Sequence, residues 1–370
     1  MDTVSDMRFL SAPPDHDLTY SDVFLVPGRS AVGSRFDVSL VPDDGTGATL
    51  PIVAANMNSV TGPRMAATLA RRGALAVLPQ DLPAGELAEA VAWVKEQSPR
   101  WDSPFVLAPD DRVLDARLSV TGGAGHGVVV VGDGAVLGVV DAAALDEADL
   151  DRRLGDMVDD GALLDAAVGD PRAVFTALAD SGRDFVAVLE DGVLAGTVSS
   201  RAAVRQEVYA PALDDRGRLR VAAALGITGD VAGRARELAD LGADVLVLDT
   251  AHGHQEGMLR ALEAVSGLGL GLPVVAGNVV TAQATRDLVS AGATIVKVGV
   301  GAEPRLPVGR GADDRGRADR LEGAGAPGRA RRSEREQQPD AGADLGALRR
   351  ADGRPRRPAA RRAALTTARM

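Results

Sequence analysis

The stretch LADLGADVLVLDTAHGH, residues 238–254, decides the fold. Leucine and alanine at helical spacing give way to Gly242, and the apolar run 245–248 follows without any polar alternation. This pattern reads as a helix end, a left-handed glycine at the C′ position, and a strand covered on both faces. The same phrase returns as LARRGALAVL at 69–78 and LVSAGATIVKV at 288–298, so Gly73, Gly242 and Gly292 mark one helix-to-strand joint three times. Repeated helix–strand units with buried strands imply an α/β protein built on a parallel sheet.

The spacing of the joints is uneven. Gly242 and Gly292 lie 50 residues apart, whereas Gly73 and Gly242 lie 169 apart, so the first gap holds an insertion. A second repeat fills it: GVVVVGDGAVLGVVD at 127–141 aligns, at an offset of 58, with FVAVLEDGVLAGTVS at 185–199. Val128 matches Val186, Asp133 matches Asp191, Gly134 matches Gly192, and Gly138 matches Gly196. Each copy reads as strand, Asp-Gly hairpin turn, strand. The expected architecture is a (β/α)8 TIM barrel carrying a two-copy insert between its second and third strands. Candidate barrel strands are 51–55, 73–78, 219–225, 244–248, 272–276 and 294–298, which is six rather than eight. The expected divisions are a first barrel part at 1–97, the insert at 98–208 with halves 98–150 and 151–208, a second barrel part at 209–301, and a tail at 302–370.

The tail breaks the pattern. The last 70 residues contain 17 Arg and 10 Asp plus Glu, a net of +7 against −18 for residues 1–300, and only seven of them are Leu, Val or Met. So few apolar side chains cannot offset the entropy of ordering, and the tail is expected to be disordered. Without aromatic residues for base stacking it is not read as a nucleic-acid arm. Its composition is that of an out-of-frame reading of GC-rich coding DNA. The net charge of −11 disfavours nucleic-acid and anionic-membrane partners, and no run of 18 apolar residues occurs. With no basic-then-apolar leader at the N-terminus, the expected location is the cytoplasm. No cysteine is present, which removes disulfides, thiolate metal sites and any thiol nucleophile.

Barrel enzymes place their chemistry at the C-terminal ends of strands. There the sequence sets Asp249-Thr250-Ala251-His252-Gly253-His254 after one strand, Gly277-Asn278-Val279-Val280 after the next, and Gly299-Val300-Gly301 after the third. The three segments should converge. A carboxylate accepts from a ribose or an amide, an Asn side chain donates and accepts, and a Gly-x-Gly turn brings backbone groups close to a phosphate or cation. Each has an ordinary alternative: Asp249 as a helix cap, Gly-x-Gly as a plain turn. His252 and His254 sit beside Asp249 without a third firm metal ligand, so hydrogen bonding to substrate or to the loop is the favoured reading. His126 reads as a packed core or subunit-surface histidine.

These motifs resemble the inosine monophosphate dehydrogenase and GMP reductase family. DLTYSDVFLVP at 17–27, PIVAANMNSVTG at 51–62, and then VLDTAHGH, AGNVV and VKVGVG follow that family's order across residues 7–301. The doubled hairpin is similar to its paired CBS domains, which implies a regulatory adenine-nucleotide site or a dimerisation surface. The DTAHGH and ANMNSVTG wording, with Lys297, is closer to the CBS-containing actinobacterial reductase branch than to the standard dehydrogenase. The resemblance implies that Asp249, Thr250 and Ala251 face the nicotinamide riboside, with Asn278 between purine and nicotinamide. It implies that Met57, Asn58 and Lys297 serve the purine nucleotide. Gly299, Val300 and Gly301 would border the cofactor and substrate phosphate, with Gly299 and Gly301 offering carbonyls to a monovalent cation such as K+.

The implied reaction converts GMP and NADPH to IMP, ammonia and NADP, in purine salvage. A thiolate attacks purine C2, ammonia leaves, and hydride is delivered to the adduct. The implied partners are GMP or IMP and further copies of the chain in a tetramer or octamer. One departure is decisive: Gly301 runs on into AEPRLPVGRG, where the family has a loop ending in its catalytic cysteine. The expectation is therefore an inactive chain of reductase type. An IMP dehydrogenase converting IMP to XMP with NAD stays open as an alternative, and so does a non-catalytic nucleotide sensor acting through the insert.

Overall fold

Strand β1 (Val53–Ala54) pairs in parallel with β2 (Leu75–Leu78), and helix α1 (Pro63–Ala70) crosses between them. The computed structural model describes residues 24, 26–120 and 126–299. After helix α2 (Ala84–Glu96) the chain leaves the sheet for the insert. The insert contains strands β3 (Val106–Leu107), β4 (Gly127–Gly132), β5 (Ala135–Asp141), β6 (Leu163–Asp165), β7 (Phe185–Glu190) and β8 (Val193–Ser199). Its helices are α3 (Val113–Ser119), α4 (Ala142–Glu147), α5 (Pro171–Ser181) and α6 (Ser200–Val208). The chain then returns through β9 (Ala222–Leu225), α7 (Val231–Leu241), β10 (Val245–Asp249), α8 (Glu256–Ser266), β11 (Val274–Val279), α9 (Ala282–Ser290) and β12 (Ile295–Val298).

Strands β1, β2, β9, β10, β11 and β12 form one parallel sheet in that order, so β2 pairs with β9 across the whole insertion. This is the half-barrel that the repeat implies, with each candidate barrel strand in its place. Residues alternate between two layers. Ala76, Leu78, Ala223, Leu225, Leu246 and Leu248 pack under the helices, while Leu75, Val77, Ala222, Ala224, Val245 and Val247 form a separate cluster on the other face.

The helix-to-strand joint is one hydrogen-bonded motif used three times. The amides of Ala74, Ala243 and Ala293 donate to the carbonyls of Leu69, Leu238 and Leu288, and the preceding glycine amides donate to Ala70, Ala239 and Val289. This is the six-to-one and five-to-two pattern that closes a helix on a left-handed residue. Gly242 supplies that conformation at φ 98°. Helix starts are capped from side chains: Asp230 accepts from the Gly233 amide and Thr281 from the Ala284 amide.

The insert holds two three-stranded sheets of identical topology, β3-β4-β5 and β6-β7-β8. Asp133-Gly134 and Asp191-Gly192 all have positive φ, the conformation of a tight hairpin turn matched to strand twist. Both hairpins carry a register shift at the same place, Val130/Val131 and Val188/Leu189. Each half is closed by chain from ahead of the other: Asp102 bridges to Thr197 and Asp159 bridges to Val139. Gly138 and Gly196 permit those crossings, because a Cβ on Gly138 would collide with the Asp159 carbonyl and one on Gly196 would sit 2.6 Å from Trp101 Cβ.

At the N-terminal end of the barrel strands, Lys95 Nζ bonds Asp244 Oδ2 at 2.7 Å and Asp214 Oδ2 at 3.0 Å. Among the described residues no helix is long and apolar enough to cross a membrane. His126 is exposed, so of its two expected settings the packed core is excluded. Residues 302–370, expected to be disordered, lie outside the described residues, as do Val300 and Gly301.

Candidate functional site

The parallel sheet brings the ends of β10, β11 and β12 together. Asp249 ends β10 opposite Gly277 of β11, and Gly277 in turn stands opposite Lys297 of β12. Glycine is needed there, since a Cβ at 277 would lie 2.6 Å from the Lys297 carbonyl. Across this gap Lys297 Nζ reaches Asp249 Oδ1 at 2.7 Å, with both side chains partly shielded from solvent. Lys297 thus engages one carboxylate oxygen on the rim of the site.

The loop after β10 folds back over β11. The Thr250 amide donates to the Gly277 carbonyl at 2.9 Å, the Asn278 amide to the Thr250 carbonyl at 2.9 Å, and the Gly253 amide to the Asn278 carbonyl at 2.8 Å. Gly253 lies so close to β11 that a Cβ there would be 2.8 Å from the Asn278 carbonyl oxygen. Gln255 holds the loop from its other side, donating to the His252 carbonyl at 2.8 Å and, more weakly, to Thr250 Oγ1 at 3.4 Å.

Asn278 is the centre of the cluster. Its Nδ2 donates to the Gly299 carbonyl at 2.8 Å, and the Gly299 amide donates to the Val279 carbonyl at 2.8 Å, so the β12 turn is pinned to β11. With Nδ2 committed, the amide orientation is set, and its buried Oδ1 has no hydrogen-bond partner among the described residues. A buried acceptor left unmatched costs about 1–3 kcal/mol, so this atom is poised for a donor from outside the chain. An amide or exocyclic amine would supply one.

Of the residues expected at the site, Asp249, Thr250, Asn278, Lys297 and Gly299 are joined by these bonds. Ala251 is exposed beside them. Met57 and Asn58 are exposed on the loop after β1, at the same end of the sheet; the Met57 carbonyl accepts from Val60 and Thr61. No described hydrogen bond links them to the Asn278 cluster. The Gly299 carbonyl, expected to face a cation, accepts instead from Asn278 Nδ2, and Gly301 lies outside the described residues.

The two loop histidines separate. His252 is exposed, whereas His254 Nε2 lies 2.9 Å from Asp287 Oδ2 on α9. Hydrogen bonds from Gln283 and then His254 hold the Asp287 carboxyl below the usual carboxylate range. Sequence reading missed Gln255 and Asp287. Gln255 stands where a helix cap belongs, just ahead of α8, and makes no capping bond, which is the signal that its amide is used elsewhere.

The sequence profile of the IMP dehydrogenase / GMP reductase domain matches residues 17–304. The chain is 51% identical over 299 residues to a GMP reductase of Mycobacterium tuberculosis, covering 80% of this chain and 62% of that protein. It is 35% identical over 302 residues to an inosine-5'-monophosphate dehydrogenase of Halalkalibacterium halodurans, covering 77% of this chain and 60% of that one. The chain therefore spans about three fifths of the length of these relatives. Among solved structures, it resembles a variant GMP reductase from Trypanosoma brucei in complex with guanosine 5'-monophosphate, with a TM-score of 0.50, 28% identity, and coverage of 78% of this chain and 64% of that one.

Proposed function

The chain belongs to the IMP dehydrogenase / GMP reductase family, and from that premise we propose that its strand-end cluster is a purine-nucleotide site of GMP reductase type. The observation that carries this reading is the buried Asn278 Oδ1, which has no hydrogen-bond partner among the described residues. A guanine presents amide and amine N–H donors, which this acceptor lacks. The greater identity to a reductase, 51% against 35% for a dehydrogenase, favours reduction over oxidation.

The residues also fit a nicotinamide cofactor. Asp249 is a carboxylate that can accept from a ribose hydroxyl, and the loop 250–253 is held rigidly to β11 beside Asn278. When bound, NADPH would supply the hydride destined for purine C2. Lys297 holds the Asp249 carboxylate in place through its 2.7 Å contact, and Asn278 fixes the β12 turn while presenting its oxygen to the base.

The thiol step has no residue to perform it, because the chain contains no cysteine. A covalent adduct at C2 cannot form, and the nucleophile's share of transition-state stabilisation, on the order of several kcal/mol, is lost. The proposed behaviour is nucleotide binding without turnover. The doubled insert, read as a CBS pair, supports a sensing role for such a chain.

Calorimetric titration of the full chain with GMP, paired with NADPH absorbance, tests this. GMP should bind, Asn278→Ala should weaken it at least tenfold, and absorbance should stay constant. Absence of binding at millimolar GMP overturns the site, while steady NADPH oxidation overturns the loss of turnover.

A further inference from the structure

A cavity of about 260 Å³ opens where the insert joins the barrel, and none of its lining residues belongs to the strand-end cluster. Its walls come from four segments that are distant in sequence: Arg71 and Arg72 after α1, Arg100 and Asp102 on the outgoing linker, Pro171 at the start of α5, and Arg205 and Gln206 on α6. Four guanidinium groups thus face one carboxylate.

None of the four is in an ion pair among the described residues. Arg71 donates to the Ser98 carbonyl and to Ser103 Oγ, each at 2.8 Å, Arg72 to the Thr68 carbonyl at 2.6 Å, and Arg100 to the Val168 carbonyl at 2.8 Å. All of these acceptors are uncharged. The Arg205 guanidinium has no hydrogen bond or ion pair among the described residues. Burial pushes the Arg71 guanidinium down to about 10, opposed by Asp102 and reinforced by Arg72 and Arg64. Burial lowers Arg72 as well, again opposed by Asp102 and reinforced by Arg205. Charges collected out of water at this cost are stabilised by a bound anion.

A second observation points to a ligand with a body as well as a charge. Gln206, a lining residue, donates from Nε2 to the Arg100 carbonyl at 2.8 Å, which orients the amide, and its buried Oε1 has no hydrogen-bond partner among the described residues. The site therefore lacks both a multiply charged anion and a neutral donor.

We propose that this cavity binds a phosphorylated small molecule, its phosphate held by Arg72 and Arg205 and a hydroxyl or amine of its body donating to Gln206 Oε1. A carboxylate ligand would leave most of the excess positive charge unmatched, whereas a phosphate brings up to two charges and three acceptor oxygens. A ligand here touches both linkers and the end of α1 at once, so its occupancy fixes the insert against the barrel. Arg71 and Arg72 stand at the end of α1, outside the insert, so the cavity draws its lining from both barrel and insert.

The test uses the full chain, titrated calorimetrically with sodium phosphate, with ribose 5-phosphate and with AMP, and hydrogen exchange followed in residues 98–103 and 205–212. A phosphorylated probe should bind and slow exchange in both linkers. Arg205→Glu should weaken that probe at least tenfold, and Arg205→Lys should retain part of the affinity. Gln206→Leu should weaken ribose 5-phosphate or AMP but not inorganic phosphate, which separates recognition of the body from capture of the anion. The proposal is overturned if no phosphorylated probe binds at millimolar concentration, or if binding is indifferent to Arg205→Glu.

Discussion

Lys297 and Asp249 stand 48 residues apart in sequence and meet only because β11 lies between their strands with a glycine at the crossing point. Replacing Lys297 by Met leaves a half-buried carboxylate without its cation. The expected loss is about 1 kcal/mol, between the worth of an exposed pair and that of a buried one. Asp249→Asn in the same background should recover much of it, and chemical denaturation of the four proteins in a double-mutant cycle reads the coupling directly. Asp249 and Asn278 were legible in the sequence because strand ends are where a parallel barrel gathers polar groups, and Lys297 through the family resemblance alone. Gln255, Asp287 and the hinge arginines were not. Gln255 stands just ahead of α8 and Asp287 within α9, positions that no local motif marks. Arg71, Arg72 and Arg205 come from a helix end and a helix on opposite sides of the first linker, with no shared motif to announce them.

At the scale of elements, periodicity carried most of the information. Three copies of one capped joint reported three helix–strand units, and a second repeat reported the paired hairpins, down to the Asp-Gly turns. What the repeat did not disclose is the exchange between halves, in which the segment ahead of each half closes the other's hairpin through Asp102–Thr197 and Asp159–Val139. That pairing is invisible to local pattern because its partners are 95 and 20 residues apart. It predicts an asymmetry among glycines. Gly134→Ala places a Cβ in open space and carries only the left-handed penalty, about 1 kcal/mol. Gly196→Ala adds a contact 2.6 Å from Trp101 Cβ at φ +157°, so it should cost roughly 3 kcal/mol. Gly138→Ala, against the Asp159 carbonyl, should behave like Gly196→Ala. Melting temperatures of the three variants check the ranking. Equal losses would show that the crossings do not constrain the insert.

Across the whole molecule, the sheet must be assembled from two pieces of chain separated by the insertion, and a buried ionic network joins them. Lys95, at the end of the piece before the insert, binds Asp214 and Asp244 from the piece after it. Asp244 also accepts from the Val221 amide at 2.7 Å, immediately ahead of β9. Burial alone would raise the Asp214 carboxyl. The Arg218 amide, Lys95 and the Arg216 amide outweigh it and hold the group well below the usual carboxylate range. A carboxyl whose folded value is depressed contributes stability that is complete above the unfolded value, about 3.9, and is lost as pH falls toward the folded one. The barrel should therefore lose stability steeply below about pH 4. Asp214→Asn should remove roughly 2 kcal/mol at neutral pH, less than for a fully buried pair because Lys95 keeps Asp244. In acid the variant and parent should converge, since protonated Asp214 no longer attracts Lys95. Urea titrations of both proteins from pH 7 down to pH 3 measure the two slopes. A constant gap between them would show that Asp214 does not bind its partners as an ion, and the tie between the two pieces would then rest on Asp244 alone.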